Sequence, residues 1–135
     1  MSPDAVKWRA SELIARLHAR FQTPKFATFE ELAADTASGA QRIDFFAVGT
    51  WKSAKDRIIA VEVKVDRQDF LREIKKPAKR KTWMRAAGEF WYCAPKGLIP
   101  LEELPEHCGL FETHGDRLKI TRAARQGEPL SLIHI

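Results

Sequence analysis

The chain has 135 residues, of which 44% are hydrophobic and 30% are charged, a composition typical of one globular domain. No apolar run approaches the roughly 20 residues that a membrane-spanning helix needs, and the first residues lack the apolar core of a signal peptide. Cys93 and Cys108 are too few for a disulfide framework. We therefore expect a single domain over residues 1–135 that is cytoplasmic and has no membrane partner.

The first half of the chain predicts a helix followed by three strands. Apolar residues at helical spacing predict an amphipathic helix over residues 4–21. Residues 25–32 favour a strand, although their end would also suit a helical turn, and the small and polar residues 33–41 favour a loop. Two apolar runs, Ile43–Gly49 and Ile58–Val65, are joined by a polar loop and predict a β-hairpin.

The second half predicts two helices and three further strands. Asp66 is a good N-cap for a helix that runs to about Lys76, and a second helix is predicted over 77–87 because proline suits its first position. The aromatic run Glu89–Ala94 predicts a strand buried on both faces. Two short strands flank a His-Gly-Asp turn at 114–116.

This order of elements predicts the fold class. We expect an α/β (α+β) fold with a central mixed sheet of four or five strands flanked by helices. The tail, residues 122–135, is a candidate docking segment or edge strand, because Leu130–Ile135 is apolar enough to pack or pair.

Positive charge is concentrated in one part of the chain. Residues 52–85 contain 12 Lys and Arg against 5 Asp and Glu, a net charge of +7, whereas the whole chain has a net charge of +5. Such a patch favours a polyanionic partner, with a solvated helix face as the alternative. The candidate contacts to DNA phosphates are Lys52, Lys55, Lys75, Lys76, Lys79, Arg80 and Lys81.

The predicted hairpin carries charged residues in an otherwise apolar setting. Glu62 and Lys64 are two apart on one strand, so their side chains share a face. In an antiparallel pair, the numbers of opposite residues add up to a constant. Asp44 joins that face only if this sum is even. An odd sum without a bulge would point Asp44 away and remove the site.

Given the even register, two carboxylates approach each other closely. Like charges in contact repel unless a cation lies between them, and Asp and Glu oxygens suit a hard ion such as Mg²⁺ or Mn²⁺. Asp44, Glu62 and the backbone carbonyl of Val63 are therefore the candidate metal ligands, and Lys64 is placed to orient a water or neutralise charge on a phosphate. The alternative is an exposed Glu-X-Lys charge pair, which is common on strands.

A further acid would complete such a site. Glu31 ends the candidate strand next to the hairpin and is the better-placed candidate, with a surface acid pair as the alternative. Glu12 should face solvent, because it lies on the polar side of the first predicted helix.

The sequence Arg42-Ile43-Asp44 followed by Glu62-Val63-Lys64, in this order of elements, resembles the PD-(D/E)XK nuclease superfamily, with Ile in place of the usual Pro. Over residues 25–120 it is similar to small bacterial and phage proteins of that superfamily, akin to the MmcB-type DNA-repair group. The resemblance implies a restriction-endonuclease-like core, Asp44 and Glu62 as metal ligands and Lys64 as the catalytic lysine. It also implies a further basic or polar site residue on the helix that contains Lys79.

The resulting hypothesis is a Mg²⁺-dependent deoxyribonuclease that hydrolyses phosphodiester bonds in DNA repair or phage DNA metabolism. The alternative from another class is a non-catalytic DNA-binding module, or a subunit of a repair complex, on the same fold. A homodimer would suit double-strand cleavage, since two strand breaks need two sites.

Overall fold

The structure is a computed structural model that describes residues 7–36 and 39–125. Its helices are α1 (Ala10–Arg20), α2 (Arg67–Ile74) and α3 (Pro77–Ala86). Its strands are β1 (Phe26–Thr36), β2 (Gly39–Gly49), β3 (Ile58–Val63), β4 (Glu89–Ala94), β5 (Gly109–His114) and β6 (Arg117–Arg122). Single turns of 3₁₀ helix occur at Lys52–Ala54 and Leu101–Glu103.

All six strands pair in one sheet, in the order in which they occur along the chain. The first three strands are antiparallel, β3, β4 and β5 are parallel, and β6 returns antiparallel to β5. The mixed α/β class is confirmed, but the expected four or five strands are wrong. The hairpin of β5 and β6 joins the edge of β4 and so extends the same sheet to six strands.

The predicted loop over residues 33–41 is also wrong, because most of it is strand. Ala33 pairs with Arg42 and Ala34 with Gln41 in a regular β1–β2 ribbon. Small residues leave no apolar alternation for a sequence pattern to detect, yet backbone pairing does not require one. Gly39 has a φ of +103°, which glycine adopts without a steric penalty where the second strand begins.

The helices begin and end where the capping chemistry places them. The predicted helix over 4–21 begins only at Ala10, and the Arg9 backbone N–H donates to Glu12 Oε1 at 3.0 Å. Residues 1–6 lie outside the described part of the chain. Asp66 caps α2 as predicted, since its Oδ1 accepts from the Gln68 N–H at 2.8 Å. α2 ends two residues before the expected Lys76, and α3 begins at proline.

Helices cover both faces of the sheet. On one face α1 packs Leu13 and Leu17 against side chains that include Val61 and Phe111. On the other face Phe70 from α2 and Trp83 from α3 complete a second core. Every residue of β4 is buried, which confirms that this strand is covered on both sides.

The ends of the described chain bear on two further predictions. β6 ends at Arg122, and the tail predicted as a docking segment or edge strand lies mostly in residues 126–135, outside the described part. In residues 7–36 and 39–125, the helices are too short and too polar for any of them to cross a membrane.

Candidate active site

The β2–β3 register places Asp44 opposite Glu62. Phe45 pairs with Val61 and Phe46 with Ala60, so the numbers of opposite residues have an even sum. The Val63 backbone N–H donates to Asp44 Oδ2 at 2.8 Å, which fixes the Asp44 carboxylate at the end of β3. The condition on which the predicted site depended is therefore met.

A cavity of about 370 Å³ opens at this point and brings the predicted residues together. Its lining includes Asp44, Glu62, Val63, Lys64 and Glu31. The acids of three adjacent strands thus contribute to a single cleft, which we call the acidic cleft.

Glu31 reaches the acidic cleft through an irregular position in β1. Its neighbours Glu30 and Leu32 pair with Phe45 and Ile43, which leaves Glu31 opposite Asp44. The φ of Glu31 is +52°, in the left-handed region that a residue with a side chain rarely adopts. β1 therefore departs from regular pairing at the residue that lines the cleft.

Glu62 is the most enclosed acid of the site, with 2% of its surface exposed. Its Oε2 accepts from Lys79 Nζ at 2.6 Å, and Lys64 Nζ lies 3.7 Å away. Burial raises the pKa of Glu62 to about 10, and the neighbouring carboxyl groups of Glu73 and Asp44 add to the rise. Without a metal ion, this carboxyl is held in a setting that disfavours its negative charge.

Glu73 is a site residue that the sequence prediction missed. Its Oε1 lies 3.1 Å from Lys64 Nζ and 4.0 Å from Lys79 Nζ. Burial alone would raise the pKa of Glu73, but the neighbouring Glu62 carboxyl and the charge of Lys64 lower it on balance. A signal existed, since position 73 is three residues after Phe70 and so lies beside the buried face of α2.

Lys64 is held in place by acids from two elements. In addition to Glu62 and Glu73, Asp69 Oδ2 lies 3.3 Å from its Nζ. Burial opposes the charge of Lys64, but these acids outweigh burial and raise its pKa. The side chain is only 8% exposed. Lys64 thus presents a fixed ammonium group at the wall of the cleft.

The donor set suits a small divalent ion. Glu62 Oε1 and Glu73 Oε2 are buried and lack a hydrogen-bond partner in the described part of the chain. Within the same residues, His, Cys, Asp and Glu side chains form no group of three or more that could hold a metal. Mg²⁺ does not need such a cage, because it commonly binds one or two carboxylates and keeps several waters. Asp44 and Glu62 with the Val63 carbonyl fit that mode of binding.

The predicted DNA-binding residues do not lie together. Lys79 lines the acidic cleft. Lys52 and Lys55 precede β3, whereas Glu62 lies near the end of that strand, so most of the strand's length of about 20 Å separates them from Glu62. Arg80 lies near Tyr92 instead. Burial and Glu73 raise the pKa of the Tyr92 hydroxyl, and Arg80 offsets part of that rise. The remaining candidates are exposed: Lys75, Lys76 and Lys81.

Neither a protein-family model nor a curated protein sequence matches the chain. The fold is similar to that of SPO1766, a protein of unknown function from Silicibacter pomeroyi, with a TM-score of 0.62 and 23% sequence identity. The similarity covers 95% of this chain and 75% of that chain. At this level of identity the likeness concerns the fold alone.

Proposed function

We propose that the chain is a metal-dependent DNA endonuclease with a restriction-endonuclease-like core of the PD-(D/E)XK type. The β2–β3 register carries this proposal, because it sets Asp44 beside Glu62 and Lys64 at the end of one strand. Burying an acid such as Glu62 beside a second carboxylate is unfavourable without a compensating cation. A catalytic role gives a reason for that arrangement.

In this proposal Asp44, Glu62 and the Val63 carbonyl hold one Mg²⁺ or Mn²⁺ ion. When bound, such an ion polarises the phosphodiester and lowers the pKa of an attacking water. The chain orients the Asp44 carboxylate. The Val63 N–H donates to Asp44 Oδ2, which leaves Oδ1 directed away from that hydrogen bond.

Lys64 acts on the substrate rather than on the metal ligands. Its ammonium group is charged and is held at 3.1 Å by Glu73 and 3.3 Å by Asp69. A fixed cation at this position stabilises the negative charge that develops on a phosphate oxygen during hydrolysis. Lys75 and Lys76, exposed between α2 and α3, are available to hold the flanking DNA backbone.

The direct test is nicking of supercoiled plasmid and of branched DNA by the purified chain. We expect strand breaks with Mg²⁺ or Mn²⁺ and none in excess chelator. Loss of cleavage in Asp44→Ala and Lys64→Ala, with the fold preserved by circular dichroism, would assign the activity to this site rather than to a contaminant.

Glu73→Gln should lower the cleavage rate by about 10- to 100-fold, as expected for a residue that orients a functional group. The amide keeps the shape but no longer attracts the Lys64 ammonium at 3.1 Å. Asp69→Asn is the matched control, because Asp69 also contacts Lys64 but is 51% exposed, and we expect a change of less than about threefold. Equal losses in the two variants, measured at saturating metal, would contradict this role of Glu73.

One contact favours the second candidate, a non-catalytic DNA-binding module. Lys79 Nζ lies 2.6 Å from Glu62 Oε2 and so supplies a positive charge where the nuclease hypothesis needs a metal. A permanent Lys79–Glu62 pair would let the buried acid persist without any ion.

Lys79→Gln separates the two candidates by metal binding. If Lys79 competes with the ion for Glu62, the variant should bind Mn²⁺ about fivefold more tightly by calorimetry, the scale of a partly exposed ion pair. Lys81→Gln, exposed on the same helix, should leave the affinity unchanged. An absence of Mn²⁺ binding in both the wild type and Lys79→Gln would favour the non-catalytic module.

A further inference from the structure

A second cavity, of about 400 Å³, lies on the other side of α1 and is positively charged. Its lining includes Arg16, Arg20 and Arg117, with Asp116 as its acidic residue. We call it the arginine pocket. Three guanidinium groups and one carboxylate around a single cavity leave an excess of two positive charges.

Uncharged groups hold the two helical arginines in position. Arg16 donates to the backbone oxygens of Glu12 and Gly115, each at 3.0 Å. Arg20 donates to the Leu118 oxygen at 3.5 Å and lies over the Phe111 ring, 5.0 Å from its centroid. Backbone oxygens orient a guanidinium group without neutralising it.

Carboxylates do not neutralise these arginines either. In the part of the chain that the structure describes, neither Arg16 nor Arg20 has an acidic side chain within 4.0 Å. Partial burial lowers the pKa of Arg20, and repulsion from Arg57 lowers it further. The positive potential of the pocket is therefore available to a bound anion.

The arginine pocket and the acidic cleft lie on opposite flanks of one helix. Ala10 and Ile14 line the acidic cleft, whereas Arg16 and Arg20 line the arginine pocket. The buried stripe of α1, which includes Leu17, runs between these two sets of residues. A helix with its side chains is about 10 Å wide, so an extended polyanion that crosses α1 would reach both cavities.

The exposed side of α1 is compatible with such a crossing. Ala15 and Ala19 are exposed there and present only methyl groups. Long side chains at these positions would hold a ligand away from the helix, whereas alanine permits close approach. Ala15 and Ala19 thus leave part of the outward face of α1 low, beside the exposed acid Glu12.

We propose that the arginine pocket binds a backbone phosphate of the DNA, away from the phosphate at the acidic cleft. The identity of the polyanion rests on the proposed function. Arg20 and Arg117 contact the phosphate, since guanidinium groups match two phosphate oxygens at once. Arg16 contributes charge, because the structure already engages both of its terminal nitrogens.

The test measures DNA binding without cleavage, in chelator, by fluorescence anisotropy of a short labelled duplex over a series of salt concentrations. Arg20→Gln and Arg117→Gln should each weaken binding by about five- to tenfold and lower the slope of log K against log salt by about one. Lys119→Gln is the control: it removes one exposed charge from β6 at a residue that does not line the arginine pocket, and should change affinity less than twofold.

Three outcomes decide the proposal. Wild-type affinity and slope in both Arg20→Gln and Arg117→Gln would overturn it, as would an equal loss in Lys119→Gln. If inorganic phosphate binds by calorimetry in an Arg117-dependent way while DNA affinity is unchanged in the variants, the pocket takes free phosphate and the DNA assignment falls. Arg117 is the exposed first residue of β6, next to the β5–β6 turn, so this variant remains informative even if Arg20→Gln is destabilised.

The experiment distinguishes failure of the arginine pocket from failure of the nuclease proposal. A wild type that binds DNA through Arg20 and Arg117 but never cleaves it would support the arginine pocket and reject the nuclease. A wild type that cleaves DNA, with variants that bind and cleave equally well, would reject the arginine pocket and retain the nuclease.

Discussion

Glu62→Gln is expected to abolish metal-dependent DNA cleavage, with a loss of about 1,000-fold or more. Glu62 is the candidate ligand that is most enclosed, with 2% exposure, and it lies opposite Asp44. The charge stabilisation that a metal ion supplies is worth several kcal/mol, and about 4 kcal/mol corresponds to this loss. The measurement is the initial rate of plasmid nicking at saturating Mg²⁺.

The same variant should fold as well as the wild type. Burial raises the pKa of Glu62, so an amide, which resembles the acid closely in shape, removes a negative charge that burial disfavours. Lys64 Nζ still has Glu73 Oε1 at 3.1 Å, so the substitution does not leave the Lys64 ammonium group unpaired. We expect the free energy of unfolding to change by less than about 1 kcal/mol.

Glu106→Gln is the control for this experiment, because its side chain is 85% exposed and it does not line the acidic cleft. It should cleave at the wild-type rate. Equal activity in wild type and Glu62→Gln would reject the proposed site. A large loss of stability in Glu62→Gln would instead mean that the acid is part of the packing.

Local sequence patterns predicted the elements better than they predicted the sheet. The Asp66 cap and the aromatic strand Glu89–Ala94 were both correct, because each depends on nearby residues. The strand over residues 33–36 was missed, because alanines pair through their backbone and leave no alternating pattern. The number of strands in one sheet depends on long-range pairing, which no local pattern encodes.

The site depended on information that the sequence did not contain. The spacing of Glu62 and Lys64 fixed their common face, but the position of Asp44 rested on a register whose parity only the structure supplies. The Lys79–Glu62 contact joins α3 to β3 over 17 residues and requires the turn between α2 and α3. Glu73 was overlooked because a helical acid is usually solvated, and only the packing of α2 brings it against Lys64.

Glu89→Ala is expected to cause the largest loss of stability among these variants, about 3 kcal/mol. Both oxygens of the Glu89 carboxylate accept from Arg57 at 2.9 Å, and Trp91 Nε1 donates to one of them at 3.0 Å. Glu89 is 7% exposed, so its removal leaves a partly buried guanidinium and a buried indole N–H without their acceptor. Denaturant unfolding monitored by tryptophan fluorescence measures the loss.

Glu103→Ala is a closely matched control for the effect of burial. Glu103 also binds an arginine through both oxygens, since Arg67 Nη2 lies 2.8 and 2.6 Å from them. The two arginines are similarly exposed, at 39% and 41%, but the Glu103 side chain is 27% exposed against 8% for Glu89. Water can replace the more exposed contact, so we expect a loss below about 1 kcal/mol.

The comparison also separates stability from activity. Glu89 begins β4 and pairs with Ile59, near the start of β3, whereas the acidic cleft lies at the end of β3. Glu89→Ala should therefore unfold more easily but cleave DNA at the wild-type rate while folded, the reverse of the result expected for Glu62→Gln. Equal losses of stability in Glu89→Ala and Glu103→Ala would show that burial of the carboxylate does not decide the strength of these pairs.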